Sequence, residues 1–430
     1  MSRRKTGIIG GGASGMMAAL AAAGKNGTGD EVFILEKKER IGKKILATGN
    51  GRCNLTNLSF CMDRLEEYYR GAPAGRLRSL FSRFSPEDTC RLFEKMGMLT
   101  VSRDGYVYPF SGQASTVLDT LRFALERKKV WIRTECRIGG VEPLKRGGYL
   151  IHTKDGDAYR FDRLILACGS PAGQKGGEGM DGYAYAASLG HTVIPPQPAL
   201  TALRCEGDFW KGLAGVRCQA SVRLLIGKPQ KPEPDSEYTE EGELQLTDYG
   251  ISGIPVFQLS RHASLALAEG RRVRAQIDFL PSFAGKEEEY RRFVEERLAA
   301  CRGWTLEMLF CGLVNKKIIL TLFKQNGLRL QDAAEQRNAS SVRRVFSLLR
   351  AFPVQVKAAN PFPAAQVCAG GVPLDEVTDR MESRKRPGLF FAGELLDVDG
   401  RCGGYNLQWA WTSGYLAGCG QEAAGWADRF

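Results

Sequence analysis

The chain has 430 residues, more than one hydrophobic core usually accommodates, so two or three domains are expected. Hydrophobic residues make up 43% and charged residues 25%, ordinary proportions for a globular protein. Lys plus Arg exceed Asp plus Glu by 60 to 48, and a net charge of +12 suits a polyanionic cofactor or plain solubility as readily as nucleic acid.

The opening stretch "MSRRKTGIIGGGASGMMAALAAAG" has the basic start and small residues of a secretion signal. Glycines interrupt its apolar run, however, and cleavage near Ala23 would destroy the loop described next. No run of 18 apolar residues is present, so no membrane span is expected. Twelve cysteines without any CxxC spacing, and only three histidines, argue against a structural zinc site and for reduced thiols in the cytoplasm.

"TGIIG" reads as a short buried strand, "GGASG" as a turn, "MMAALAAAG" as a helix and "EVFILE" as a second strand ending at Glu36. Gly10, Gly12 and Gly15 therefore form G-x-G-x-x-G between a strand and a helix, with an acid 21 residues after Gly15. Gly10 permits the tight turn, Gly12 lets backbone reach a pyrophosphate, and Gly15 lets the helix pack closely on the sheet. Ala13 and Ser14 open the helix, whose free N–H groups and dipole favour phosphates. Glu36 is placed to accept hydrogen bonds from a ribose, with Lys37 beside it.

Next comes "KKILATGNGRCNLTN", where Lys43, Lys44 and Arg52 stand among glycines. Lys44, Gly51, Arg52, Cys53 and Asn54 are candidates for backing a flavin or holding an anion. "VWIRTECRIGGVEPL", "GYLIHTKDG" and "YRFDRLILACG" look like short strands. Ile138, Cys168 and Gly169 in these stretches join the candidate contacts, the last two facing an adenosine. "GEGMDG" from Gly177 to Gly182 repeats the glycine pattern but follows a polar run, so it reads as a loop before the helix "YAYAASLG". A dedicated NAD(P) domain is not expected.

From Pro195 the composition changes. "SVRLLIG" and "GELQLTD" flank the tip "KPQKPEPDSEYTEE", which predicts a hairpin with a solvated end. Arg271, Arg272 and Arg274 read as a solvated sheet edge. A helical pattern runs from about Ser282 to Ala351, and the glycine-rich style returns after "FPVQVKAANPF". The predicted layout is a dinucleotide-binding domain in two pieces, 1–194 and 353–430, interrupted by a β-rich substrate domain, 195–281, and a helical insertion, 282–352.

The last piece ends with "GLFFAGELLDVDGRCGGYNLQWAW". Gly393 and Glu394 follow a strand, where an acid can bind a ribityl or phosphate-side hydroxyl. Asp399, Gly404, Tyr405, Asn406 and Leu407 lead into a helix aimed at a ring. NAD has no need of this element, whereas FAD is longer and its isoalloxazine must be held separately. The expected fold class is α/β, a Rossmann-type FAD-binding domain split in sequence around an inserted β-rich domain.

"GGGASG", "LEKKERIGKKILATGNGRCNLTN", "DGYVYP", "TDYGISG", "AGGV" and "AGELLDVDGRCGGYNLQWAWTSGYLAG" together resemble the BaiN/YhiN-type flavoproteins, bacterial FAD-dependent oxidoreductases, over nearly the whole chain. The resemblance implies a glutathione-reductase-like FAD domain carrying a β-barrel-like domain with a helical insertion. It also implies reduction of unsaturated bile-acid-like steroids or oxidation of small amines. Cys368 stands where the family pattern has Thr, and Ile254 where it has Pro, both on the presumed active-site side.

The expected activity is hydride transfer between flavin N5 and a small or medium organic substrate, with NAD(P)H as a transient reductant and the middle domain covering the ring. Neither a nucleic acid nor a membrane is an expected partner. Rival readings are a tRNA-modifying flavoprotein, suggested by the charge, and a non-catalytic flavin-binding protein. Cys53 and Cys402 read as packing beside the cofactor rather than a redox pair. His152 in a strand, His191 in a loop and His262 at a helix start read as structural. No catalytic acid or base is assigned, although Tyr249 and Tyr405 are possible proton donors.

Overall fold

The computed structural model describes residues 3–24, 30–174, 178–228, 230, 233–336 and 339–419. Parts of two sequence features, Gly177 of "GEGMDG" and Pro229, Lys231 and Pro232 of the hairpin tip, lie outside them. Two compact units are present, one built from the segments before Gln197 and after Gln366, the other from Gln197–Gln366.

The first unit is organised by a parallel sheet. Its strands are β1 (Lys5–Ile9), β2 (Glu31–Leu35), β3 (Trp131–Arg133), β4 (Arg163–Leu166) and β5 (Leu389–Phe391), in spatial order β5-β4-β1-β2-β3. The central strands read as continuous apolar runs because both faces are covered. Helix α1 (Ala13–Ala23) is buried from Ser14 to Ala23, so its alanines and methionines have no polar side to spare.

The other cover of α1 is helix α2 (Tyr405–Cys419), the last described element. The two backbones approach closely through glycine. A Cβ added at Gly414 would lie 2.4 Å from the Ser14 carbonyl oxygen, and one at Gly418 2.3 Å from that of Ala18. Backbone cannot yield as a side chain does, so Gly414→Ala or Gly418→Ala must push the helices apart. Each is expected to cost about 1–3 kcal/mol, the usual range for overpacking, measured by urea denaturation.

The second unit is a closed antiparallel barrel of the strands Leu203–Cys205, Arg217–Gly227, Ser236–Leu246, Gly250–Gly253, Arg272–Asp278 and Phe352–Ala359. Its helices Glu287–Ala299, Leu306–Phe310, Lys316–Gln325 and Ala339–Arg350 follow the helical sequence pattern. A hairpin forms, but its expected pairing is corrected. "SVRLLIG" lies opposite residues 236–241 of the expected tip, with Ser221 facing Glu241, because the second strand starts inside that tip, and "GELQLTD" lies opposite residues 217–220. The expected solvated edge at Arg272 and Arg274 is corrected: their strand pairs on both sides, because a closed barrel has no edge. His262 sits within the helix Ile254–Ala268 rather than at its start. Among the described residues, no helix is long and apolar enough to cross a membrane.

Candidate dinucleotide site

The glycine loop after β1 is shaped by steric limits at two of its three positions. Gly10 has φ +108°, and a Cβ there would lie 2.3 Å from the Ala167 carbonyl oxygen. At Gly15 a Cβ would lie 1.9 Å from the carbonyl oxygen of Gly10, so only hydrogen lets the helix begin this close to the strand. Gly12 differs. It caps α1 in an extended conformation, and a Cβ there meets nothing within 4 Å. That open space over the N-terminus of an 11-residue helix is where a pyrophosphate would need room.

Glu36 follows β2 and is held by backbone. Its Oε2 accepts from Gly11 N–H at 2.7 Å and its Oε1 from Lys38 N–H at 2.9 Å. A carboxylate has about four acceptor sites, so capacity remains for a ribose hydroxyl. Beside it lies a cavity of about 280 Å³ whose lining includes Gly10, Glu36, Lys37, Ile138, Cys168 and Tyr185. Ile138 is 6% exposed, and its carbonyl accepts from Tyr185 Oη at 3.0 Å. Lys37 pairs with Asp181 at 2.8 Å across the same cavity. Gly169, at φ +70°, turns the chain out of the strand end that carries Cys168.

The C-terminal glycine segment arrives at the same place. Gly393 directly follows β5 and the intervening Ala392, and a Cβ on it would lie 2.5 Å from Ser14 Oγ in the first turn of α1. Its N–H donates to Ser413 Oγ at 2.9 Å and its carbonyl accepts from Trp409 Nε1 at 3.1 Å. Glu394 accepts from Lys44 Nζ at 2.6 Å and from Ser170 Oγ at 3.3 Å. Loops from opposite ends of the sequence are thus neighbours, with a paired carboxylate between them.

The third element is the loop before Asn54. Gly49 and Gly51 adopt left-handed φ of +56° and +82°, and Asn50 and Cys53 share that region at 53° and 57°. Such conformations in non-glycine residues persist where surrounding structure enforces them and cluster at ligand clamps. Arg52 is exposed, its guanidinium 5.8 Å from the Tyr108 ring. Asn54 Oδ1 is a buried acceptor with no hydrogen-bond partner among the described residues, and a Cβ at Gly404 would lie 2.9 Å from it. An orphaned acceptor beside glycine backbone fits the N–H of a ring such as isoalloxazine.

At the start of α2, Tyr405 stacks on Tyr68 with centroids 5.1 Å apart. Asn406 is engaged with backbone. Its amide exchanges two 2.8 Å hydrogen bonds with the Gly400 backbone and so fixes the loop entering the helix. Asp399 is buried in a bridge opposite Arg70, and Leu407 is half-buried.

The sulfurs do not suit thiolate chemistry. Burial pushes the Cys53 thiol up to about 11 and the Cys168 thiol up to about 12, and it raises that of Cys402. None of the twelve cysteines, all among the described residues, forms a disulfide.

Two buried polar networks escaped sequence reasoning. Gln408, 1% exposed, accepts from Thr56 Oγ1 at 2.6 Å and Thr89 Oγ1 at 2.9 Å, and donates to Thr412 Oγ1 at 3.0 Å. A glutamine inside the otherwise apolar "YNLQWAW" was the available signal. His191 contacts Glu376 Oε2 through Nδ1 at 2.7 Å and Ser383 Oγ through Nε2 at 2.8 Å. Burial holds the His191 pKa below the ordinary imidazole value. Burial alone would raise the Glu376 carboxyl, but hydrogen bonds from Lys385 and Thr192 hold it down at about 2.

Both shifts act in the same direction on stability. A lowered folded pKa contributes stability that is complete above the unfolded value and is lost as pH falls through the folded one. Stability is therefore expected to decline as pH drops below about 6.5 for the histidine and below about 4.3 for the glutamate. Urea midpoints of wild type and His191→Gln between pH 8 and pH 5 should show the first decline in wild type alone.

A parallel sheet whose first strand, glycine turn and helix face an acid at the end of the second strand defines a Rossmann-type dinucleotide-binding protein. The chain belongs to the family described as HI0933-like protein Rossmann domain, whose model matches residues 4–420. It is 43% identical to a 3-dehydro-bile acid delta(4,6)-reductase of Clostridium scindens, over 96% of this chain and 98% of the relative. It is 28% identical to a ribosomal RNA dihydrouridine synthase of Escherichia coli, over 96% of each chain. Among solved structures, a 3-ketosteroid delta1-dehydrogenase from Sterolibacterium denitrificans shares the fold with a TM-score of 0.50 and 11% identity, over 97% of this chain and 99% of that one.

Proposed function

We propose that this chain is an FAD-dependent oxidoreductase that reduces a carbon–carbon double bond conjugated to a ketone in a steroid-like acid. The observation that carries this reading is the 43% identity to the bile acid reductase along almost its whole length. The cradle supports it. Gly12 leaves room for the pyrophosphate, Glu36 has capacity for the ribose, and Glu394 stands ready for the ribityl chain. Asn54 offers the ring an acceptor. The chemistry an FAD supplies when bound is hydride transfer.

The chain's own part is to position and to exclude. Lys44 compensates the Glu394 carboxylate, so an acid can stand next to a phosphate-bearing ligand. Neutral Cys53 and Cys168 fill space at the loops without competing for electrons. NADH or NADPH is the reductant, engaged transiently and without a domain of its own.

Purified protein should be yellow and release FAD, not FMN, on acid treatment. Under anaerobic conditions NADH or NADPH should bleach it, and a 3-oxo-4-ene steroid acid should restore the colour. A uridine-containing ribosomal RNA fragment serves as the competing oxidant, and small amines, which would bleach the oxidised flavin without NADH or NADPH, as competing reductants. Reoxidation by the RNA, or bleaching by an amine, with no response to the enone would overturn the substrate assignment.

A further inference from the structure

One face near the start of α2 is aromatic in a way the cofactor loops do not require. Tyr106 and Tyr108 alternate with buried Val107 on the strand Tyr106–Pro109, so their rings share one side of a small sheet. Arg52 lies over the Tyr108 end. At the other end a Cβ on Gly403 would lie 2.9 Å from the Tyr106 ring and 3.5 Å from that of Tyr405, which in turn stacks on Tyr68. The strip therefore runs from a cation, across two tyrosines, to a stacked pair at the glycine loop.

Its polar groups are unspent. Tyr106 is 40% exposed. Among the described residues, neither the Tyr106 nor the Tyr108 hydroxyl makes a hydrogen bond to protein, whereas Tyr68 Oη donates to the Ser59 carbonyl at 3.3 Å. Tyrosine provides a flat apolar face and a donor at its tip, and an exposed arginine supplies a charge with a planar fork of donors. The complementary ligand has a rigid apolar ring system, oxygen acceptors on its rim and one anionic end.

We infer that Tyr106 and Tyr108, with Arg52 at one end and Tyr405 at the other, form the substrate subsite, and that it selects a fused-ring ketone bearing a terminal carboxylate. This rests on the reductase reading above but concerns recognition alone. The body of the ligand lies on the tyrosine faces, and its carboxylate meets Arg52. Arg103, directly opposite Tyr106 in the sheet, and Arg401, whose charge acts on Tyr405, add cations beside the strip, so the test includes an RNA arm that separates a carboxylate from a phosphate ligand.

The test is equilibrium dialysis of 3-oxo-4-cholenoic acid and its methyl ester against the oxidised, FAD-loaded full chain. Tyr106→Ala and Tyr108→Ala should each weaken both ligands by about 10-fold, as loss of a stacking face does, with FAD content and midpoint potential unchanged. Arg52→Met should weaken the acid alone by about 3- to 5-fold, the scale of an exposed ion pair, and abolish the preference for acid over ester. Wild-type affinity in both tyrosine variants would overturn the inference. So would a ribosomal RNA fragment whose binding both variants abolish while the steroid does not bind at all. Turnover of the enone with unaltered affinity in the variants removes the subsite and leaves the reductase reading standing. Binding that follows the pattern without any electron exchange does the reverse.

Discussion

Gly12→Val should yield a folded protein that cannot retain FAD. The expectation follows from the contrast between Gly12 and its two neighbours in the motif. Gly12 has φ −80° and nothing within 4 Å of an added Cβ, so valine is accommodated by the chain itself and protrudes only where the pyrophosphate would lie. Displacing backbone donors from a charged ligand forfeits about 1.5–3 kcal/mol for each hydrogen bond, so losing two costs more than about 100-fold in affinity. Gly15→Val is the control. Its Cβ would lie 1.9 Å from the Gly10 carbonyl oxygen, and folding itself should fail. For FAD at 100 times its Kd, wild-type apoprotein should gain about 2.7 kcal/mol of stability, visible as a rise in Tm. Gly12→Val should match the apoprotein melt and show no rise. A yellow Gly12→Val protein with the wild-type rise would mean that the open space serves something else.

The glycine loop was legible because its pattern is local. The glycines, the strand before them and the helix after them fall in one short window, and Gly15 packs on the Gly10 carbonyl inside it, although the crowding of Gly10 itself comes from distant Ala167. The strands and helices with strong periodicity were legible for the same reason, as in "EVFILE" and "GGYNLQWAW". What escaped depends on atoms far apart in sequence. His191 reads as a lone loop histidine, yet its two partners lie 185 and 192 positions away. Arg272 and Arg274 look like edge residues because closure of the barrel by the strand Phe352–Ala359 is invisible at that point in the chain. The tyrosine strip joins Tyr68, Tyr106 and Tyr405 from three segments, each unremarkable alone. The Asn406 amide is engaged with the Gly400 backbone, a geometry that spacing does not encode.

Arg163→Met should be among the most destabilising single substitutions in the first unit. The arginine opens β4 with its side chain only 7% exposed, and its Nη1 donates to Asp30 Oδ2 at 2.8 Å. Its Nη2 donates to the carbonyl oxygens of Ala417 at 2.9 Å and Gly418 at 3.4 Å, where α2 runs out of internal partners. The guanidinium also lies 4.5 Å from the Phe390 ring. Burial lowers its pKa against the pull of Asp30, so the charge survives on its contacts rather than on solvent. Methionine conserves much of the volume but strips the helix end and strands a carboxylate that is itself 14% exposed. Breaking a buried pair in this way costs about 3–5 kcal/mol. Arg163→Lys should recover only part, since a point charge cannot fork between a carboxylate and two carbonyls. Adding Asp30→Asn to Arg163→Met relieves the stranded charge, so the double variant should be more stable than the sum of singles by about 1–3 kcal/mol. The anchor lies at the far end of a 15-residue helix, about 22 Å from the glycines that begin it. FAD affinity measured well below the melting transition should therefore stay near wild type while the urea midpoint falls. A loss under about 1 kcal/mol, or a strictly additive double variant, would mean that Asp30 and the helix end are satisfied without Arg163.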